Sequence, residues 1–272
     1  MPVGSEVMKI YKVSEIGIFM ENISDTDGKW LGFKSETIST CGCIRVIELS
    51  GKKIWGYHNL MTIDPEVPVR HILRMENDIA LCNEDYSYAQ ILPLQDTHSI
   101  TAFLMQLFYI HAVRRQMIQL HCATIEDQGR GILFLGPSGI GKTTQAERWA
   151  EFRGSSIING DVGFVQRTER EYIAWGTPWH GSSPYCLNTS VPVKALVVLK
   201  QAQENKLREL TGFEKVAEVS GSVFYPTWLE DGMDLCTDTL NHLLTDLPVY
   251  RLDNRADREA VELLARELDR IS

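Results

Sequence analysis

The 272-residue sequence has no apolar run long enough to cross a bilayer, no internal repeat, no low-complexity tract and no dense basic cluster. Its longest apolar stretch, from Ala102 through Tyr109, is interrupted by Gln106 and ends at His111. That falls well short of the roughly 20 residues a spanning helix needs, so no membrane partner is expected. Lys and Arg number 27 against 36 Asp and Glu, and the net charge of −9 repels a polyanion. The nearest thing to a basic patch, Arg114 and Arg115 beside His111, closes an apolar helical pattern, where cations complement the helix dipole. No nucleic-acid partner is expected either. Six cysteines stand at 41, 43, 82, 122, 186 and 236, and a lone Cys41-Gly-Cys43 lacks the ligand count of a zinc site. Reduced, packing thiols follow. Residues 1–8 show no positive region leading into an apolar stretch, so no signal peptide is read and the expected location is cytoplasmic.

What is present is a 44% hydrophobic, globular chain with a change of texture near residue 97. Before it, short β-rich runs at Ile10–Val13, Ile16–Met20, Ile44–Leu49, Ile54–Tyr57 and Ile91–Leu92 alternate with breakers such as Asp25–Gly28 and Ser50-Gly51. This predicts a small, mostly β domain over residues 1–96. After it, Phe103, Leu104, Leu107, Ile110 and Val113 follow helical spacing, with Asp96, Thr97 or Ser99 as candidate N-caps. Strands are expected at Leu120–Ile125, Ile132–Leu135, Ser156–Asn159, Gly163–Gln166, Tyr172–Trp175, Ala195–Leu199 and Val249–Leu252. Helices are expected at Thr144–Phe152, Leu235–Leu244 and Ala256–Asp269. Thr211-Gly-Phe-Glu214 has capping-box spacing before a short helix ending near Gly221. The predicted fold class is α/β with a mixed sheet over residues 97–272, preceded by the β-rich domain.

The segment Gly136-Pro137-Ser138-Gly139-Ile140-Gly141-Lys142-Thr143, followed by Thr144, satisfies the phosphate-loop pattern G-x-x-x-x-G-K-[ST]. A strand precedes it and a helix follows, as the mechanism requires. Glycines let successive N–H groups turn inward onto phosphate oxygens, and the helix N-terminus adds its positive dipole end. Lys142 then contacts the β- and γ-phosphates of ATP, and the Thr143 hydroxyl reaches Mg²⁺. No N-K-x-D motif for guanine accompanies the loop. Ser156-Ile-Ile-Asn-Gly-Asp161 places a carboxylate at the end of an apolar strand, where Asp161 can hold Mg²⁺ or orient a substrate hydroxyl.

Taken together, Leu120-His121-Cys-Ala-Thr, the loop Gly136–Thr144 and Ile158-Asn-Gly-Asp161 resemble the catalytic domain of the HPr kinase/phosphorylase family, which groups with the phosphoenolpyruvate carboxykinases. The resemblance covers about Leu120 to Leu252. It implies that His121 lies near the phosphates, that Lys142 and Thr143 bind phosphate and metal, and that Asp161 acts as the base. Two departures stand out: Cys122 replaces the glycine of a His-Gly pair, and Gly160 replaces the first acid of an Asp-Asp pair. The runs Trp175–Gly181 and Asn188–Leu199 look like the compact members, which include kinases encoded with ribosomally made peptides such as lasso peptides.

Two further residues are candidates for substrate contact. His180 sits in a glycine-bracketed turn where an imidazole can meet a hydroxyl or phosphate, or simply face solvent, and Trp175, Trp179 and Tyr185 around it can floor a pocket or belong to the core. Arg251 follows an apolar strand start and can reach a phosphate, or remain a solvated strand-end arginine. Taken apart from the resemblance, His121 is equally readable as a core histidine. The leading functional expectation is an ATP- and Mg²⁺-dependent kinase acting on a hydroxyl, with a peptide serine or threonine as the acceptor. A small-molecule hydroxyl, a carboxykinase-like reaction and a nucleotide-binding regulatory module remain alternatives, and self-association into a homo-oligomer stays open.

Overall fold

The computed structural model describes residues 8–23, 28–37, 42–48, 52–54, 57–60, 67–76, 78–92 and 98–271. The expected breakers at 25–27 and at Ser50 and Gly51, the cap candidates Asp96 and Thr97, Cys41, and residues 1–7 lie outside these. The chain forms two compact units, Met1–His111 and Ala112–Ser272.

In the first unit, β1 (Lys9–Val13) and β2 (Ile16–Glu21) form a hairpin closed at Val13 and Ile16, with Ser14 at φ 52° in the turn. A 3-10 helix, Gly28–Phe33, buries Trp30 edge-on to Tyr11, with ring centroids 5.1 Å apart. Next come β3 (Cys43–Glu48), the short pair β4 (Lys52–Ile54) and β5 (Tyr57–Leu60), then β6 (His71–Met75), β7 (Asp78–Cys82) and β8 (Tyr88–Leu92). The main sheet runs β1-β2-β3-β8-β7-β6, with β2–β3 and β3–β8 parallel and the other pairs antiparallel. The expected strand at Ile54–Tyr57 is instead the end of β4 and the start of β5, with residues 55 and 56 outside those described. Helix α1 (His98–Val113) buries Phe103, Leu104, Leu107 and Ile110, as their spacing predicts. Ser99 lies inside this helix and is not its cap.

The second unit is built on two long strands that change partners along their length. They are β9 (Met117–Asp127) and β14 (Ser190–Gln201). β9 turns into β10 (Arg130–Leu135) through Gln128 and Gly129, both at positive φ, the conformation a two-residue hairpin favours. Helix α2 (Lys142–Arg153), β11 (Ser156–Asn159), β12 (Val162–Arg167) and β13 (Tyr172–Trp175) follow. Beyond β14 lie β15 (Lys206–Glu209), α3 (Phe213–Val219), β16 (Val223–Phe224), α4 (Gly232–Asp246), β17 (Val249–Asn254) and α5 (Arg258–Arg270). The strand path β10-β9-β12-β13-β14-β17-β15 closes on itself through a parallel β10–β14 pairing.

β14 is buried from Ala195 to Leu199 between the parallel strands β10 and β17, which explains its unbroken apolar run. Trp149 of α2 and Val261, Leu264 and Leu268 of α5 fill the core against Phe134, Val197 and Leu252. Asp257 caps α5, its side chain accepting from the Ala260 N–H at 3.1 Å. The expected capping box before α3 is not formed. Gly212 occupies the N-cap, which removes any side-chain cap, and Thr211 serves through its carbonyl, accepting from the Glu214 N–H at 3.1 Å. Among the described residues no helix is long and apolar enough to cross a membrane.

One buried carboxylate ties the end of β9 to the end of α2. Asp127, only 1% exposed, accepts from Arg153 Nη2 (2.9 Å), Arg130 Nη2 (3.1 Å) and Ser155 Oγ (2.7 Å). Burial by itself would raise its pKa, but the bonds from Arg153, Ser155 and Arg130 outweigh that and hold it below the ordinary carboxylate range. A lowered folded-state pKa means that this stabilisation is present above the unfolded value and fades as pH falls through the folded one. Asp127→Ala should cost about 2 kcal/mol in urea unfolding at pH 7. The figure lies below that for a fully buried pair because both guanidinium groups keep some solvent. The deficit should begin to shrink as pH falls below about 4, where the carboxylate of the unfolded chain takes up its proton, and should vanish only as pH passes through the lowered folded-state value.

Candidate phosphate-transfer site

The site lies where β10 gives way to the glycine-rich loop. Gly136, Gly139 and Gly141 have φ values of 137°, 77° and 108°, backbone that side-chain-bearing residues rarely adopt, so the loop curls as the sequence motif requires. Gly141 is also the N-cap of α2 and offers no side-chain cap, leaving the N–H groups of the first turn turned toward the loop. Lys142 is 6% exposed and folds back over the loop, donating from Nζ to the carbonyl oxygens of Gly136 (3.1 Å) and Pro137 (3.3 Å). Burial pushes its ammonium below the usual lysine range, and the nearby Asp161 carboxylate partly opposes this.

The loop meets a second strand end. Thr143 Oγ1 donates to the Gly160 carbonyl at 3.2 Å, next to Asp161. Asp161 Oδ1 lies 3.0 Å from His121 Nε2, and both side chains are partly exposed. The register explains the meeting. β11 and β12 run along one edge of β9, Asn159 opposite Thr124 and Val162 opposite His121, with Gly160-Asp161 bulging between them. β10 and β16 share the other edge, with Leu135 opposite Cys122 and Val223 opposite Leu120. His121 therefore sits at the gap where β10 leaves to form the loop.

The bulge is locked by Asn159, which is fully buried and uses both ends of its amide. Its Oδ1 accepts from the N–H groups of Asp161 (3.0 Å) and Val162 (2.9 Å). Its Nδ2 donates to the carbonyls of Thr177 (3.2 Å) and Trp179 (2.8 Å). The sequence contains this residue in the Ile158–Asp161 run, but its role was missed. An Asn two positions before an aspartate in a turn is the available signal, since Asn side chains bond backbone two residues on.

The structure gives a steric reason for the glycine at position 160 and for the room that Cys122 occupies. A side chain at position 160 would collide with Ser183 Oγ, so no acidic residue fits there. Cys122 is accommodated by Gly163 on the facing strand, where a Cβ would meet its Sγ. Burial raises the Cys122 thiol to about 11, so it stays neutral and packs. All cysteines among the described residues are free.

The turn 176–189 is pinned to this strand end and does not stand apart from it. Gly160 N–H donates to Tyr185 O, Leu187 N–H to Ile158 O, and Gly181, at φ 55°, abuts the Asp161 carboxylate so closely that a Cβ would overlap it. His180 is buried at 5% exposure, which removes the reading of a solvent-facing histidine. Trp179 is core, packed at 6.2 Å against Phe164, and Trp175 donates to Gln166. Arg251 is held by Asp253 (2.8 Å) and, more loosely, by Glu218 (3.9 Å). The arginine that does line space beside the loop is Arg255. With Gly139–Gly141, Thr144, Gln201–Gln203, Asn254 and Ala256 it bounds a cavity of about 600 Å³. Its guanidinium is fixed by Asp257 and Glu259. Nothing in the spacing of Arg255 marks it out in sequence, because the cavity forms only when the ends of β14 and β17 lie side by side.

Fold and site together define a mixed α/β protein carrying two mixed sheets, with a strand–glycine loop–helix facing an Asp–His pair. Residues 90–243, more than half of the chain, match the family described as SynChlorMet cassette protein ScmC, and the chain belongs to that family. No curated protein matches it. Among solved structures it is similar to the Hpr(Ser) kinase/phosphatase from Coxiella burnetii, at 13% identity and a TM-score of 0.33, over 56% of this chain and 88% of that one.

Proposed function

We propose that the protein is an ATP- and Mg²⁺-dependent phosphotransferase that moves the γ-phosphoryl group onto a hydroxyl, most simply that of a serine or threonine in a peptide. The observation that carries this reading is the meeting of Lys142 and Thr143 with the Asp161–His121 pair, which puts phosphate-binding and proton-accepting groups at one point. The positive-φ glycines and buried lysine fit a polyphosphate, and the cavity bounded by Gln201–Gln203 and Asn254–Ala256 accepts the nucleoside. A hydroxyl and a carboxylate are hard oxygen donors of the kind Mg²⁺ takes while keeping several waters, so Thr143 and Asp161 suit it. When bound, the ion neutralises charge on the phosphates. Lys142 holds the phosphates, and Asp161, steadied by His121 and by the Asn159 clamp, accepts the acceptor hydroxyl's proton. Membership of a cassette family accords with an acceptor that is another product of the same cassette.

The test is to incubate the protein with Mg²⁺-ATP and a library of serine- and threonine-containing peptides and to read the mass of one added phosphate. Labelled peptides are the expected result. Labelling of free serine or a polyol while peptides stay unmodified would move the acceptor to a small molecule. Nucleotide binding with no labelled acceptor of either kind would leave a regulatory module.

A further inference from the structure

We infer that Phe224 is the acceptor-side specificity residue of this site, a ring on which an apolar side chain next to the reacting hydroxyl packs. The inference rests on the phosphotransferase reading above and adds the chemistry of the acceptor. Phe224 is a large apolar side chain left 43% exposed, on a two-residue strand whose other member, Val223, is buried. Its ring centroid lies 6.2 Å from that of His121. The register makes the neighbourhood structural: Phe224 is opposite Gln119, so its side chain shares the face of β9 that carries Gln119 and His121.

The direction of approach follows from the same register. Along one edge of β9, the phosphate loop departs at Leu135, opposite Cys122, and β16 takes over at Val223, opposite Leu120, so His121 lies between them. Phosphoryl transfer places the attacking and leaving oxygens roughly in line on opposite sides of the phosphorus. With the nucleotide on the loop side of the His121–Asp161 pair, the attacking hydroxyl comes from the β16 side, where Phe224 presents a partly exposed aromatic ring next to His121. Burying part of an aliphatic or aromatic side chain on this ring favours acceptors that carry one beside the hydroxyl. The bonds exchanged are those of the proposed reaction: the acceptor oxygen bonds the γ-phosphorus, the bond to the ADP oxygen breaks, and the hydroxyl proton passes to Asp161.

Two synthetic peptides that differ only in leucine or glycine beside a single serine test this with the full chain, Mg²⁺-ATP and initial rates of phosphate incorporation. The quantity read is the ratio of kcat/KM for the two peptides, which cancels any disturbance of His121 common to both. The wild type should prefer the leucine peptide by about tenfold. Phe224→Ala should bring the ratio close to one, and Phe224→Leu, which keeps an apolar surface, should retain part of it. A preference that survives in Phe224→Ala, or equal rates in the wild type, overturns the inference while the transferase stands. If neither peptide is labelled although ATP binds, the peptide acceptor and this inference fall together. If ATP does not bind at all, the phosphotransferase reading itself is at fault.

Discussion

Asp161→Asn should lower phosphoryl transfer by about 10²- to 10⁴-fold, the range expected when a positioned base is lost. The substitution is nearly isosteric and leaves the Asn159 clamp on the backbone of residues 161 and 162 untouched, so the bulge keeps its shape. What disappears is the negative charge, and with it both the proton acceptor and a hard oxygen ligand for Mg²⁺. The two losses can be separated by titration. Loss of the ligand raises the Mg²⁺ concentration needed for half-maximal rate, whereas loss of the base lowers the rate at saturating Mg²⁺. Nucleotide binding measured without Mg²⁺ should persist, because Lys142 and the loop backbone lie on the other element. Full turnover retained in a folded Asp161→Asn variant would falsify the assignment and move the base to His121, which is hydrogen-bonded to it.

Local patterns reached far along this chain, and what they missed is mostly a matter of pairing. The strand before the loop and the helix after it appear where apolar runs and glycines place them, as β10 and α2. The long strand carrying His121 extends beyond the expected Leu120–Ile125 to Met117–Asp127, since its polar ends are held by partners, Asp127 by two arginines and Gln119 by the β16 pairing. β15, with the sequence Lys-Leu-Arg-Glu, and the two-residue β16 carry no periodic signal, because their strand character comes from docking on β17 and β9. β6 and β7 were missed for a related reason. β6 buries Leu73 and exposes Ile72 and Arg74, too few alternations to read. At the site, the glycine-rich loop and the strand-end Asp161 stood out in the sequence, and His121 was singled out by the family resemblance; the structure brings Thr143, Asp161 and His121 together. Asn159 carried only the weak local signal of an Asx turn, and Gly181, Arg255 and Phe224 carried none, because each of these three matters through a neighbour distant in sequence.

The turn from Trp175 to Ser183, where His180 and the aromatic rings were candidates for substrate contact, also serves as a support for the strand end. Thr177 and Trp179 give their carbonyls to Asn159, Gly160 has room for no side chain against Ser183, and Gly181 lies on the Asp161 carboxylate. Such a turn packs against the carboxylate and, on the proposed reading, leaves the acceptor to approach from the β16 side. A rigid support of this kind is what positioning a catalytic group to fractions of an ångström requires.

Lys142→Ala should weaken ATP binding at least tenfold, about 1.4 kcal/mol, and lower turnover further, by about 10²- to 10³-fold. The asymmetry is the informative part. In the free protein the ammonium bonds the Gly136 and Pro137 carbonyls, so binding exchanges those contacts for phosphate oxygens and the net gain in the ground state is modest. In the transition state the charge on the transferring group is spread over its oxygens, and a nearly buried cation acts on it with little solvent to screen it. Lys142→Arg is the sharper control. It keeps the charge, but the planar guanidinium is too broad to reproduce a point contact beneath the two carbonyls, so affinity should fall less than in the alanine variant while turnover stays low. Calorimetry gives the affinities, labelled-phosphate release gives the rates, and near-ultraviolet circular dichroism checks that each variant is folded. An alanine variant that binds ATP as tightly as the wild type would take the nucleotide off this loop and, with it, the ground for placing phosphoryl transfer at Asp161.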